Sequence, residues 1–177
     1  MRLPPVRLVS VGPPHPDTEL VAWLAGELRR RFGAHVGFAL PLAIPPRWRA
    51  DPPSRVPSSP IVDALVARFP PPGWTLGLAS VDLFADGRDF VFGEATHGGF
   101  WAVVSTARLL SAPPDEPLLR ARLLREVLHE FGHLAGLDHC DNPACAMAFA
   151  ASVGDVDRKK TEFCSGCAAR LTRALHP

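Results

Sequence analysis

Eleven residues constrain this chain more than any others: His129 to His139 read His-Glu-Phe-Gly-His-Leu-Ala-Gly-Leu-Asp-His. His129, Glu130, His133, Gly136 and His139 occupy the fixed positions of the pattern HExxHxxGxxH. On a helix, His129 and His133 stack on one face, one turn apart, and can grip a single metal ion. Glu130 projects from the same turn, within reach of a metal-bound water. Gly136 can take a positive φ, which ends the helix and turns the chain back so that His139 arrives as a third imidazole. Three neutral nitrogens and one open position form the layout of a catalytic zinc, not of a closed structural one. The alternative is an amphipathic helix whose histidines are solvated or paired with Glu130. Against it, the five-position pattern has a chance occurrence on the order of one in 10^5 in a chain of this length.

At 177 residues, one domain spanning 1–177 is the simplest expectation. A chain this long buries about 70% of the surface its unfolded form exposes. The net charge of +1 points away from nucleic acid and from an anionic membrane surface. No apolar run reaches transmembrane length, so no membrane span is expected. Met1 to Pro5 carry no signal-like apolar stretch, which makes a cytoplasmic location the default expectation. No pro-segment precedes the first strand-like run, so latency through a cleaved pro-peptide is not expected.

The periodicity predicts a strand at Val6–Val11 and a helix from Asp17, its cap, to Phe32, with Gly33 just past its end. A short strand follows at His35–Leu40. Residues 41–60, rich in Pro, Arg and Ser, read as a long loop, either a solvated connector or a lid on the substrate side. A helix from Pro60 to Phe69 is expected, capped by Ser59. Trp74–Val81 is apolar enough for a central strand. Asp86-Gly87 marks a turn, and Phe90–Ala95 reads as one strand in which Gly93 suggests a bulge or a close backbone approach. His97, in a glycine loop, is a surface residue or a substrate contact. After a strand at Phe100–Thr106, Asp115 caps a helix over Glu116–Leu137. Leu119, Leu123, Leu124, Val127, Leu128, Phe131 and Leu134 make its apolar face. His129 and His133 then lie at the edge of the core. The order of elements indicates α/β or α+β, with a mixed sheet backing the active-site helix.

All four cysteines follow the histidine motif. Cys140 and Cys145 are spaced C-x4-C; Cys164 and Cys167 are spaced C-x2-C. Two short pairs separated by a loop are the pattern of a four-thiolate zinc site. Disulfides and free thiols are the alternatives, and a reducing compartment disfavours the disulfides. A metal there would pin the C-terminal tail, including a short helix near Ala168–Leu175, beside the histidines. Met147 is a core filler in isolation. In context it is placed to lie in a turn beneath the metal.

His129 to His139, Cys140, Cys145-Ala146-Met147 and Cys164-Ser165-Gly166-Cys167 together resemble the archaemetzincins, a branch of the metzincin zinc metallopeptidases. Phe90–Ala95 also resembles that family's strand before the active-site helix, and the likeness covers roughly Phe90 to Leu171. It implies a metzincin-like mixed sheet backed by the active-site helix, a catalytic zinc on His129, His133 and His139, Glu130 as general base and Met147 in the Met-turn. It also implies a second, structural zinc on Cys140, Cys145, Cys164 and Cys167. The expected activity is hydrolysis of peptide bonds in peptide or protein substrates, by a monomer. A non-catalytic, zinc-stabilised protein that binds peptides or partners in the same cleft is the rival. The intact Glu130 argues against it, because a binding module needs no base.

Overall fold

The structure is a computed structural model that describes residues 2–176; Met1 and Pro177, the ends of the expected 1–177 domain, lie outside it. The first strand, β1 (Val6–Gly12), feeds α1 (Thr18–Phe32). Asp17 caps that helix by accepting from the backbone N–H of Glu19 at 2.7 Å and of Leu20 at 3.2 Å. Gly33, at φ 58°, supplies the left-handed residue that ends it. The second strand, β2, is confined to Val36–Phe38, shorter than expected.

Residues 41–60 are not a plain loop. They contain β3 (Leu42–Ala43), a 3-10 turn at Pro46–Trp48 and β4 (Arg55–Pro57). β3 pairs with the end of β1. Leu42, Ile44 and Val56 are buried, so this segment covers one face of the sheet and is not a lid. Helix α2 (Ser58–Arg68) begins ahead of the expected start, and no side chain caps it. The Ser59 hydroxyl is turned instead towards Glu94.

β5 (Trp74–Ala79) is buried along its whole length and is the central strand. It lies between β1 and β9 (Trp101–Ser105), parallel to both. β8 (Gly93–Ala95) closes this side of the sheet, antiparallel to β9. The order is β2-β1-β5-β9-β8, and the far edge of β8 has no strand partner among the described residues.

The expected single strand Phe90–Ala95 is split. β6 (Asp82–Ala85) and β7 (Arg88–Val91) form a hairpin about Asp86-Gly87, in a small second sheet with β4. The chain changes sheet at Phe92. That side chain is buried in the main core, and its carbonyl accepts from the Ser105 N–H at 2.8 Å. The break follows from the pairing: Arg88–Val91 are held by β6 in the small sheet, whereas Gly93–Ala95 are held by β9 in the main one.

Helix α3 runs over Glu116–Leu134, capped by Asp115, which accepts from the Leu118 N–H at 2.8 Å. Alternation along β5 sends Leu76 and Leu78 towards α1 and α3, where Leu24, Leu28, Val127 and Phe131 meet them. Gly77 and Ala79 face α2 instead, and a Cβ on Gly77 would stand 3.1 Å from Leu65. The result is a mixed sheet between helical layers, with α3 laid across β8 and β9. The Trp74 and Phe131 rings pack at 5.0 Å. The segment between the cysteine pairs is more ordered than its polarity suggests: α4 (Val153–Arg158) forms there and buries Val156. α5 (Ser165–Leu175) then begins ahead of the expected short helix.

Candidate active site

The last two turns of α3 carry His129, Glu130 and His133. The helix ends at Leu134, short of the expected Leu137, and Gly136, whose φ is 79°, turns the chain as expected. Its N–H bonds to the His133 carbonyl and the Leu137 N–H to the Gly132 carbonyl, both at 2.9 Å, which is the Schellman pattern of a helix end. The reversal brings His139 back over the helix. The ligand atoms of His129, His133 and His139 all lie within 4.8 Å of one another.

Hydrogen bonds set the orientation of the first two rings. His129 Nδ1 lies 2.9 Å from the Ala146 carbonyl, and His133 Nδ1 lies 2.8 Å from the Leu137 carbonyl. A carbonyl only accepts, so each Nδ1 is the protonated nitrogen and each Nε2 presents a lone pair. Those two Nε2 atoms face each other at 3.1 Å. Two nitrogens bound tetrahedrally to one zinc at 2.0–2.1 Å would stand about 3.3 Å apart, so the pair fits a bridging cation. Burial first, then the Lys159 and His133 charges, hold His129 well below the usual imidazole range. Burial likewise lowers His133 and His139. All three favour the neutral form that ligates metal.

Glu130 is buried beside them. Burial and, next, the Glu126 carboxylate push it well above the usual carboxylate range, while the Lys159 ammonium pulls the other way. β8 makes room for it. A Cβ on Gly93 would come within 2.6 Å of Glu130 Oε1 and 2.7 Å of the Val103 carbonyl oxygen, so only glycine lets the strand pass so close. The close approach expected of Gly93 is thus made to Glu130.

Met147 is fully buried beneath the motif. The residue that admits it is Gly132, between the two helical histidines: a Cβ there would sit 2.1 Å from Met147 Sδ. A glycine inside a helix costs about 1 kcal/mol against alanine, and that breach of propensity was the available signal for a close contact.

The four thiols converge as well, with sulphur atoms within 4.8 Å of one another. They are free; Cys140 and Cys164 stand 3.8 Å apart, well beyond a disulfide bond. The Cys167 backbone N–H holds Cys164 down at about 7, and burial pushes Cys167 up to about 12. Four sulphurs so grouped, one of them at the head of α5, could hold a second cation. The two clusters are joined through three consecutive residues. Cys145 belongs to one, Ala146 orients His129, and Met147 supports the helix.

A cleft of about 450 Å³ opens over the histidines. Phe90 to Ala95 line one side, and Phe149 and Ala150 line another. Phe149 is 47% exposed, with its ring 5.3 Å from that of His139. His97 also lines the cleft. Its side chain is 55% exposed and its Nε2 lies 3.3 Å from Asp138 Oδ1, so it is both a surface residue and a cleft residue.

Two residues escaped the sequence reading. Lys159, beside Lys160 in an arginine-rich chain, is buried and pairs with Glu126, one turn before Glu130, at 2.8 Å. Glu94 lies on the cleft wall. Nothing in the local sequence marks either one, because each acquires its partner through the fold.

The model of peptidase family M54 matches residues 70–173. The chain belongs to that family. Among curated relatives, the archaemetzincin of Archaeoglobus fulgidus is 47% identical over 107 residues, which are 60% of this chain and 65% of the relative. The chain thus spans just under two-thirds of that relative's length. Among solved structures, the archaemetzincin of Methanopyrus kandleri superposes with a TM-score of 0.85 at 31% identity, covering 99% of this chain and 97% of that one. A zinc-dependent peptidase from Methanocorpusculum labreanum superposes with a TM-score of 0.76 at 25% identity, covering 94% and 99%. The family's sequence match begins well before Phe90, and its fold extends over almost the whole chain, including the N-terminal half that the motifs do not reach.

Proposed function

We propose that the protein is a zinc metallopeptidase of one domain, acting as a monomer on peptide or protein substrates. In this reading His129, His133 and His139 hold the catalytic ion, and Glu130 is the general base. One observation carries it: three neutral imidazoles converge beside a buried carboxylate, in an open cleft along the free edge of a strand. Family membership and the likeness to a zinc-dependent peptidase support it. Cys140, Cys145, Cys164 and Cys167 hold a second, structural zinc. Among the described residues, no helix is long and apolar enough to cross a membrane.

A zinc ion bound there supplies a Lewis acid that lowers the pKa of water to roughly 7 and polarises a carbonyl. The side chains do the rest. The Ala146 and Leu137 carbonyls fix the tautomers of His129 and His133, so both Nε2 lone pairs face inward. Glu130, raised in pKa by burial, takes the proton of the attacking water and passes it to the leaving amine. The free edge of β8 pairs with an extended substrate backbone and lays it past Glu130, at the point where Gly93 brings strand and carboxylate together.

The test compares Glu130→Gln with wild type, measuring zinc content and peptide turnover on the same preparations. Turnover should fall at least about 10^2-fold with zinc retained. If the variant cleaves as fast as wild type, Glu130 is not the base. If zinc-loaded wild type cleaves nothing across a broad peptide library, the cleft binds peptides without hydrolysing them.

A further inference from the structure

Glu94 follows Gly93 on β8, and successive strand residues face opposite ways. Gly93 faces Glu130, so Glu94 faces the α2 side of the strand, where it still lines the cleft. Its partners there are two neutral hydroxyls. Ser59 Oγ lies 3.3 Å from each carboxylate oxygen. The Ser58 hydroxyl stands between Glu94 Oε2 and the Phe84 carbonyl, so its single proton serves one of them at a time. A carboxylate has about four acceptor sites, and no cation pairs with this one among the described residues. Arg88, also in the cleft wall, is engaged elsewhere, over the Phe149 ring at 4.8 Å.

A half-buried, orientated carboxylate that faces a binding cleft without a counter-ion is a receptor for a cationic group. We propose that Glu94 is a specificity residue that selects substrates carrying a cation near the scissile bond, either the ammonium or guanidinium of a basic side chain or the free α-ammonium of the chain. The proposal rests on the peptidase reading above. A substrate extended along β8 presents alternate side chains to the two faces of the strand. The side chain that reaches Glu94 therefore lies on the face opposite Glu130, at one fixed position relative to the cut. Glu94 as a mere counter-charge for the start of α2 is the rival account, and it predicts an effect on stability alone.

The test is digestion of two libraries of the same randomised peptides, one N-acetylated and one with free amino termini, by wild type and by Glu94→Gln, with cuts read by mass spectrometry. Lysine and arginine should be enriched at one position, and Glu94→Gln should lower kcat/KM for those peptides at least about tenfold while sparing norleucine peptides. If the recognised cation is the α-ammonium, the loss follows acetylation instead. In a zinc-loaded Glu130→Gln background, the same contrast is read as binding of labelled, blocked alanine peptides that carry one arginine or one norleucine at each position in turn, and of one all-alanine peptide labelled at its C-terminus with its amino terminus free or acetylated. An arginine preference, or a free-amine preference, that Glu94→Gln abolishes supports the proposal even where nothing is cleaved, an outcome that would sink only the peptidase reading. Equal treatment of basic and neutral peptides together with indifference to acetylation would overturn it. So would a Glu94→Gln variant that loses thermal stability but keeps the wild-type preference.

Discussion

Replacing Lys159 by Met should destabilise the protein severely, although the residue touches no proposed ligand. The Lys159 side chain is 0% exposed and that of its partner Glu126 is 3% exposed, with 2.8 Å between Nζ and Oε1. Removing one member of a buried pair strands the other charge without water, at a cost of about 3–5 kcal/mol. In a domain of this size each kcal/mol shifts Tm by about 2–4 °C, so a fall of about 6–20 °C is expected. Replacing both residues by methionine should recover most of the loss, because no buried charge then remains.

The pH dependence has a definite sign. Burial already raises Glu126 above its ordinary range, with the Lys159 charge opposing, and loss of Lys159 raises it further. A carboxyl raised on folding binds more protons in the folded state, so stability falls as pH rises from the unfolded value, about 4.3, through the folded one. The deficit of Lys159→Met should therefore be smaller near about pH 5 than near about pH 8. Urea unfolding followed by circular dichroism, at one zinc concentration throughout, measures the whole cycle. A single-variant cost below about 1 kcal/mol, or a double variant no more stable than the single, would refute the reasoning.

Gly132→Ala should cost about 1–3 kcal/mol through overpacking, since the new Cβ falls on Met147 Sδ at 2.1 Å; a Tm unchanged from wild type would mean that Met147 has room to move. Gly93→Ala should impair peptide turnover more than zinc content, because its Cβ meets Glu130 and the β9 backbone and not the histidines; equal turnover by the two proteins would remove Gly93 from the argument. Cys164→Ser should lose one of two zinc ions and lower Tm, as a closed site reduced to three thiolates loosens the segment that holds Ala146 against His129; metal analysis giving one zinc in wild type would end this reading.

The sequence by itself determined the local grammar of the site and of the elements that carry it. HExxHxxGxxH needs only helical periodicity and one positive φ to bring its histidines together, and both are properties of a short stretch of chain. The caps at Asp17 and Asp115, the fully buried strand from Trp74 and the apolar face of α3 were legible for the same reason: each depends on neighbours within a few residues. The grouping of the four cysteines was legible from spacing, because two short pairs have few other ways to be satisfied. What only the tertiary structure decided depends on contacts distant in sequence. Residues 41–60 turned into sheet because β1 and β6 offered open edges to pair with. Phe90–Ala95 broke at Phe92 because its first half pairs with β6 and its second with β9, in different sheets, and Gly93 then passed within reach of Glu130. Lys159 is an ordinary surface residue by composition and becomes a buried cation only when α4 folds against α3. Glu94 becomes a cleft carboxylate only when β8 takes the sheet edge beside α2. Hydrophobic periodicity encodes which face of an element is buried, but it does not say which other element covers that face, and that partner sets the charge environment of each of these groups.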